Sequence, residues 1–324
     1  MRIIIHGVGA IGGTVAAALH LAGRDVIGIA RGAQLDAIRS RGLTFRTPDQ
    51  VANARFPCVA HPSEIAFRPD DAVVLTMKTQ DTVAALDTLR DAGVRDQPVF
   101  CAQNGVANER FALRRFPNVH GVTVMMPATF LTPGEVACFS TPRHGMFDIG
   151  RYPHGADDAD TRLAEALNAA NIASFVVPDV MRSKYGKLIH NLANVIEAAV
   201  GRGPDVARVK ALLAAEAAAA LAAAGIPWRD VGAGDPRRDE LMLQRPVAGV
   251  VRTGGSSTQS LARGAGSIET DWLNGEIVLL GRLHGVPTPA NTYCAALGAR
   301  LVRERRAPGA IPLAEIEEAT GLAT

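Results

Sequence analysis

The sequence predicts an α/β chain in two parts, a doubly wound sheet over residues 1–178 followed by an all-α domain over residues 179–324. Three observations carry that prediction. Short apolar strands alternate with helical segments as far as residue 177. A glycine-rich turn joins the first strand to the first helix. After Pro178 strand signals nearly vanish, and alanine-rich helical text takes over. At 324 residues the chain is too long for one ordinary core, which makes two domains the default.

Residues 2–6, Arg-Ile-Ile-Ile-His, are bulky and apolar enough for a buried strand. They run into Gly7-Val8-Gly9-Ala10-Ile11-Gly12, a GxGxxG turn, then a helix over 14–22 closed by Gly23 and a second strand over 25–30. In that strand–turn–helix–strand context the motif predicts a Rossmann-type dinucleotide site. Gly7 permits the tight turn, Gly9 lets a pyrophosphate approach the backbone, and Gly12 lets helix and strand pack closely. The phosphates would sit on the free N–H groups of the helix start. A glycine turn without a ligand is the alternative. Where an NAD site usually places Asp or Glu, this chain reads Ala30-Arg31-Gly32, with no acid before Asp36. Arg suits a 2′-phosphate, so the expected cofactor is NADP(H), unless Arg31 is only a solvated loop cation.

A short helix is expected over 34–40, strands over 43–46 and 56–61, and a buried strand over 72–77 ending at Lys78. A helix over 81–92 leads to a strand over 98–103 that ends in Asn104-Gly105-Val106. Helix 108–115, strand 119–125, two antiparallel pieces at 135–140 and 145–149, helix 159–170 and strand 173–177 complete the first part. The glycine turn, Arg31, Lys78 and Asn104 all fall at the carboxyl edge of the sheet, where such folds bind ligands. The second part reads as one long helix over 179–200, helices over 204–224, 237–244, 258–262, 268–284 and 291–306, and a loose tail.

Composition bounds the function. Apolar residues make up 48% and charged ones 20%, as in a globular protein with a sizeable interior. No run of 18 apolar residues predicts a membrane span, and Met1 leads straight into the first strand with no room for a leader, so a cytoplasmic address is expected. A net charge of +2 with no basic block gives no case for nucleic acid. The four cysteines form no CxxC, so neither a metal site nor a disulfide framework is suggested. Only Lys78, Lys184, Lys187 and Lys210 are lysine among 34 basic residues, so a lysine here can mark a role that arginine cannot fill.

Lys187, Asn191 and Asn194 are spaced i, i+4, i+7 and would share one face of the 179–200 helix among apolar neighbours. Buried amides and an ammonium need partners, and a polar substrate is one. A desolvated lysine can act as a general acid near neutral pH. A hydrogen-bonded cluster between domains is the other reading. His190 is expected to be structural or solvent-facing, Lys184 a surface cation, and Glu269 a helix cap unless it serves the site.

These residues together resemble the ketopantoate reductase (2-dehydropantoate 2-reductase) family, Rossmann dehydrogenases with helical C-terminal domains. The matching pieces are the glycine turn, Ala30-Arg31-Gly32, Thr76-Met77-Lys78, Gln103-Asn104-Gly105-Val106, Lys187-Leu188 with Asn191, Ser256-Ser257, Glu269-Thr270-Asp271, Asn274-Gly275 and 285–289. The resemblance implies hydride transfer from NADPH to a small 2-oxo acid. It implies Lys187 as proton donor, Asn191 and Ser257 on the substrate, Lys78 and Asn104 at the nicotinamide end, and Glu269 on cofactor or substrate hydroxyl. Asn104 and Asn194 are counted with the substrate residues as well. The departures lie in the substrate residues. The family's second asparagine, eight after the lysine and followed by Pro-Thr, is Val195 here, with Asn194 one earlier. Its Ser-Ser-Met-Leu-Gln-Asp loop reads Ser-Ser-Thr-Gln-Ser-Leu over 256–261. Ketopantoate is the leading substrate. A different 2-oxo or 2-hydroxy acid, or a non-catalytic NADP-binding sensor, are the alternatives. A homodimer through the helical domain is the assembly the sequence reading allows for.

Overall fold

In a computed structural model of the chain, which describes residues 1–252, 254–264 and 266–323, the isoleucines of β1 (Arg2–His6) are fully buried. Ile3 and Ile5 enter one apolar core and Ile4 another, the period of two of a strand covered on both faces. The chain continues as α1 (Ala10–Leu21), β2 (Val26–Ile29), α2 (Gly32–Arg41), β3 (Leu43–Arg46), β4 (Val51–Ala54), β5 (Cys58–Val59), β6 (Asp71–Leu75) and α3 (Thr79–Asp91). Then come β7 (Val99–Cys101), α4 (Asn108–Leu113), β8 (Val119–Met125), β9 (Ala128–Thr132), β10 (Glu135–Cys138), β11 (Ser140–Pro142), β12 (Met146–Arg151), α5 (Asp158–Ala169) and β13 (Ala173–Val176).

The main sheet has the order β13-β12-β8-β7-β6-β1-β2-β5, and its neighbours from β8 to β5 are parallel. β12 joins β8 antiparallel. Val73 and Leu75 of β6 join Ile4 beneath Leu86 and Leu89 of α3, while Ala72 and Val74 join Ile3 and Ile5 beneath α1 and α5. Each such Val, Leu or Ile side chain contributes roughly 1.5–3 kcal/mol on burial, so two apolar faces hold the register. The expected doubly wound sheet forms. Its strand order reverses between β1 and β6, the switch point at whose carboxyl ends ligands bind.

A four-stranded sheet, β4-β3-β10-β9, packs on α1. β4 and β9 were not anticipated. β4 reads Val-Ala-Asn-Ala, with no strand periodicity of its own, and exists through its antiparallel pairing with β3.

Beyond β13 lie α6 (Val180–Asn191), α7 (Asn194–Val200), α8 (Ala207–Ala223), α9 (Arg237–Leu241), β14 (Met242–Gln244), α10 (Ser256–Ala262), α11 (Asn274–His284), α12 (Pro289–Arg303) and α13 (Leu313–Ala319). Two compact units result: Met1–Lys184 with Ala233–Val251, and Tyr185–Gly232 with Arg252–Thr324. The division falls inside α6 rather than at Pro178, and a later segment returns to the first unit. There β14 pairs antiparallel with β11, so the single helix expected over 237–244 is half strand. Arg237 ties the returning segment to β12 through Asp148 (2.9 Å), and Asp235 within that segment holds the guanidinium (2.6 Å).

The second unit, among its described residues, is helical. The helix expected over 179–200 is broken. The carbonyl of Leu192 accepts from the Asn274 side-chain amide (3.0 Å), and α7 restarts two residues later. Asn274 also donates to Asn291 Oδ1 (3.1 Å), and buried Glu216 accepts from the Asn291 side chain and from the backbone N–H groups of Ala290 and Asn291. Glu216 thus supplies a negative charge at the start of α12. The expected helix over 268–284 begins instead as a 3₁₀ turn over Thr270–Trp272, followed by α11, which ends on left-handed Gly285 as expected. The tail is not loose. Gly309 and Ile311 donate to the carbonyls of Ala198 and Ala199 (3.0 and 2.9 Å), and Ile316 of α13 is fully buried. No described helix is long and apolar enough to cross a membrane.

Candidate active site

The two outer glycines of the turn are sterically required. Gly7 has φ +107°, and a Cβ on it would come within 2.8 Å of the Met77 backbone nitrogen. A Cβ on Gly12 would overlap the carbonyl oxygen of Gly7 and Thr76 Oγ1, far inside contact distance. Thr76 locks this corner, since its hydroxyl donates to the carbonyl oxygens of His6 (3.2 Å) and Gly7 (2.8 Å). Gly9 differs. It is the N-cap of α1, and a Cβ there would meet nothing within 4 Å. Close-packed glycines hold the turn, and the middle one opens onto free space at the N-terminus of a twelve-residue helix with no acidic residue in its first turn. Those residues fit a dinucleotide pyrophosphate.

The polar residues expected at the sheet edge fall at successive strand ends. Arg31 follows β2 as N-cap of α2 and is 82% exposed, its nearest ionic partner being Asp81 at 3.8 Å. Lys78 follows β6 as N-cap of α3, and Asn104 follows β7. His6, the last residue of β1, was not singled out. Its Nδ1 is buried without a partner, and burial, aided by the positive Arg31 and by His61, pushes its pKa from 6.5 down to about 4.

A buried polar network joins the turns that carry Lys78 and Asn104. Gln103 Nε2 donates to the carbonyl of Met77 (2.9 Å) and to Thr82 Oγ1 (2.8 Å). Thr82 donates to Asn108 Oδ1 (2.8 Å), while Asn108 Nδ2 donates to the carbonyl of Asn104 (3.1 Å) and to Thr79 Oγ1 (3.3 Å). Gln103 stands in the Gln103-Asn104-Gly105-Val106 strand end; Thr82 and Asn108 carry no local signal. Lys184, expected as a surface cation, is buried. Its Nζ donates to the carbonyls of Cys101 (3.1 Å) and Gln103 (3.0 Å) and pairs with Glu109. The sequence reading missed this because helix-face spacing says nothing about a partner on α4.

In the second unit, Lys187 and Asn191 lie one turn apart on α6. Asn191 is 4% exposed and its amide nitrogen has no hydrogen-bond partner. Asn194 does not continue their face, because the break at 192–193 intervenes; it opens α7 and donates to Ser256 Oγ at 3.5 Å. Ser257 is buried in the first turn of α10, not in the preceding loop. Glu269 is buried and precedes the 3₁₀ turn, but its side chain does not cap it, so capping does not account for this carboxylate. His190 is exposed, in keeping with its expected place.

Comparison with known proteins accounts for both units. Residues 3–154 match the family model "Ketopantoate reductase PanE/ApbA" and residues 179–301 its C-terminal counterpart. The 2-dehydropantoate 2-reductase of Mesorhizobium japonicum is 30% identical over 94% of this chain and 99% of that one. The chain belongs to the ketopantoate reductase family. It is therefore one of the nicotinamide-dependent oxidoreductases that act on CH–OH groups. The 2-dehydropantoate 2-reductase of Pyrococcus horikoshii is 32% identical over 60% of this chain and 62% of that one. Among solved structures, the PanE/ApbA family ketopantoate reductase from Ralstonia eutropha JMP134 superposes with a TM-score of 0.78 at 28% identity, covering 94% of this chain and 100% of that one. D-mandelate dehydrogenase, solved with NADH and anilino(oxo)acetate, shares the fold with a TM-score of 0.78 at 21% identity, over 95% and 100%.

Proposed function

We propose that this chain reduces a small 2-oxo acid to the 2-hydroxy acid with NADPH, 2-dehydropantoate being the leading substrate. The observation that carries the reading is the amide nitrogen of Asn191, buried and without an acceptor one helical turn from Lys187. Such a group costs free energy until a ligand accepts from it. A substrate carbonyl or carboxylate supplies that acceptor.

In this reading Gly7 to Gly12 hold the pyrophosphate, and Arg31 pairs with a 2′-phosphate. Arg31 suits that role because it is exposed, weakly engaged and at the end of β2 with no carboxylate in the ribose position. A bound nicotinamide supplies the hydride. The chain's own part is to orient and protonate. Asn191 and Ser257 orient the 2-oxo acid, and Lys187 gives its proton to the carbonyl oxygen as negative charge builds there. Lys78 and Asn104 border the nicotinamide end, and Glu269 serves the cofactor or the substrate hydroxyl.

A different 2-oxo acid is the second reading, and the helix break favours it. Val195, in place of the family's second asparagine, is fully buried, while Asn194 turns to Ser256 and Glu197 pairs with Lys210 at 2.6 Å. The fold itself does not choose, since D-mandelate dehydrogenase shares it. The test is a steady-state assay of NADPH oxidation with 2-dehydropantoate beside aliphatic and aromatic 2-oxo acids. 2-Dehydropantoate is expected to give the highest kcat/KM. A faster competitor moves the assignment to that acid, and no turnover with any of them overturns the reductase reading.

A further inference from the structure

The ammonium of Lys184 donates to the carbonyl oxygens of Cys101 (3.1 Å) and Gln103 (3.0 Å) and forms a buried ion pair with the carboxylate of Glu109. The two side chains are 2% and 0% exposed. Cys101 ends β7 and Glu109 lies in the first turn of α4, so the lysine spans the turn over residues 102–107 from its start to its finish. Asn104 sits in the middle of that turn. On its other side the turn is held by the Gln103, Thr82 and Asn108 network, which ties it to the turn of Lys78.

The space around Lys184 is shaped for its stem. A Cβ on Gly121 of β8 would lie 3.4 Å from Lys184 Cδ and 3.1 Å from Val180 Cγ1. An arginine would bring a wider, fixed planar fork in place of a compact ammonium on a flexible stem. In a chain with only four lysines among 34 basic residues, this gives a physical reason for lysine here.

We infer that Lys184 and Glu109 are a positioning pair: they touch no ligand but hold the 102–107 turn so that Asn104 faces the nicotinamide end of the site. The inference rests on the reading of Asn104 given above. Stability alone does not explain the pair, because a well-packed apolar pair often replaces a buried ion pair without loss. Apolar side chains would fill the volume but leave the Cys101 and Gln103 carbonyls without this donor, so the turn would be free to shift. The same helix, α6, carries Lys187 one turn beyond Lys184.

The test uses the full chain with Lys184→Met, with the double variant Lys184→Met/Glu109→Leu, and with Asn104→Ala. Lys184→Met alone strands the Glu109 carboxylate and is expected to lower Tm; the double variant is expected to recover most of it. In the double variant, hydrogen exchange of amides 102–107 is expected to quicken at least about tenfold while the strands keep wild-type rates. Its kcat, measured with NADPH and the 2-oxo acid turned over fastest, is expected to fall at least about tenfold, with NADPH Kd within about threefold of wild type. Wild-type exchange over 102–107 in the double variant overturns the inference whatever the kinetics. If Asn104→Ala costs rate and the double variant does not, the inference alone fails. If Asn104→Ala costs no rate, the reading of Asn104 fails and the inference with it.

Discussion

Gly9 and Gly12 stand three residues apart in one turn, and alanine at each is expected to fail in opposite ways. At Gly12 the new methyl would be driven into the Gly7 carbonyl and Thr76 Oγ1. Neither yields cheaply: the carbonyl is backbone, and the hydroxyl is held by its bonds to His6 and Gly7. Overpacking of this kind costs about 1–3 kcal/mol, so Tm is expected to fall by several degrees. At Gly9 the methyl meets nothing within 4 Å, and φ is negative. Stability is therefore expected to stay within about 0.5 kcal/mol of wild type. The methyl would instead occupy the space assigned to the pyrophosphate. Removing that close approach is expected to weaken NADPH binding at least about tenfold, or 1.4 kcal/mol. Thermal unfolding and fluorescence titration of NADPH read the two effects separately. Wild-type NADPH affinity in Gly9→Ala would refute the placement of the cofactor on this turn.

Arg31→Ala is expected to weaken NADPH binding while leaving NADH little affected, by the same titration; equal losses for both would show that Arg31 does not read a 2′-phosphate. His6 sets a pH dependence. Burial holds it neutral in the folded chain down to about pH 4, whereas the unfolded chain protonates it near pH 6.5. Stability is thus expected to decline as pH falls from 6.5 to 4, by up to about 3 kcal/mol. His6→Leu is expected to flatten that part of the curve in denaturant unfolding, and an unchanged slope would remove His6 as its source.

The residues proposed to hold the cofactor were legible in the sequence because their signals are local. Gly7 to Gly12, Arg31, Lys78 and Asn104 each close an apolar strand, and the edge they share follows from strand order alone. Boundaries moved by a few residues, as expected where caps decide them. What escaped depends on distant partners. The 179–200 helix breaks because Asn274 takes the Leu192 carbonyl, and no residue within 179–200 announces that bond. Residues 242–244 became a strand because β11 offers an edge. Lys184 looked like a surface charge because Glu109, its partner, is far away in sequence. Asn191 was legible as a buried amide in need of an acceptor, whereas Asn194 was not, since its face depended on an unbroken helix.

Proton transfer from Lys187 to the carbonyl of a 2-oxo acid during reduction by NADPH is the step on which the proposed function turns. Lys187→Ala tests it most directly, with kcat and NADPH affinity measured on the same preparation. Because an acid catalyst acts mainly in the transition state, kcat is expected to fall by about 10² or more while NADPH Kd stays near wild type. A kcat within about threefold of wild type would contradict the assignment of Lys187 and of the chemistry built on it.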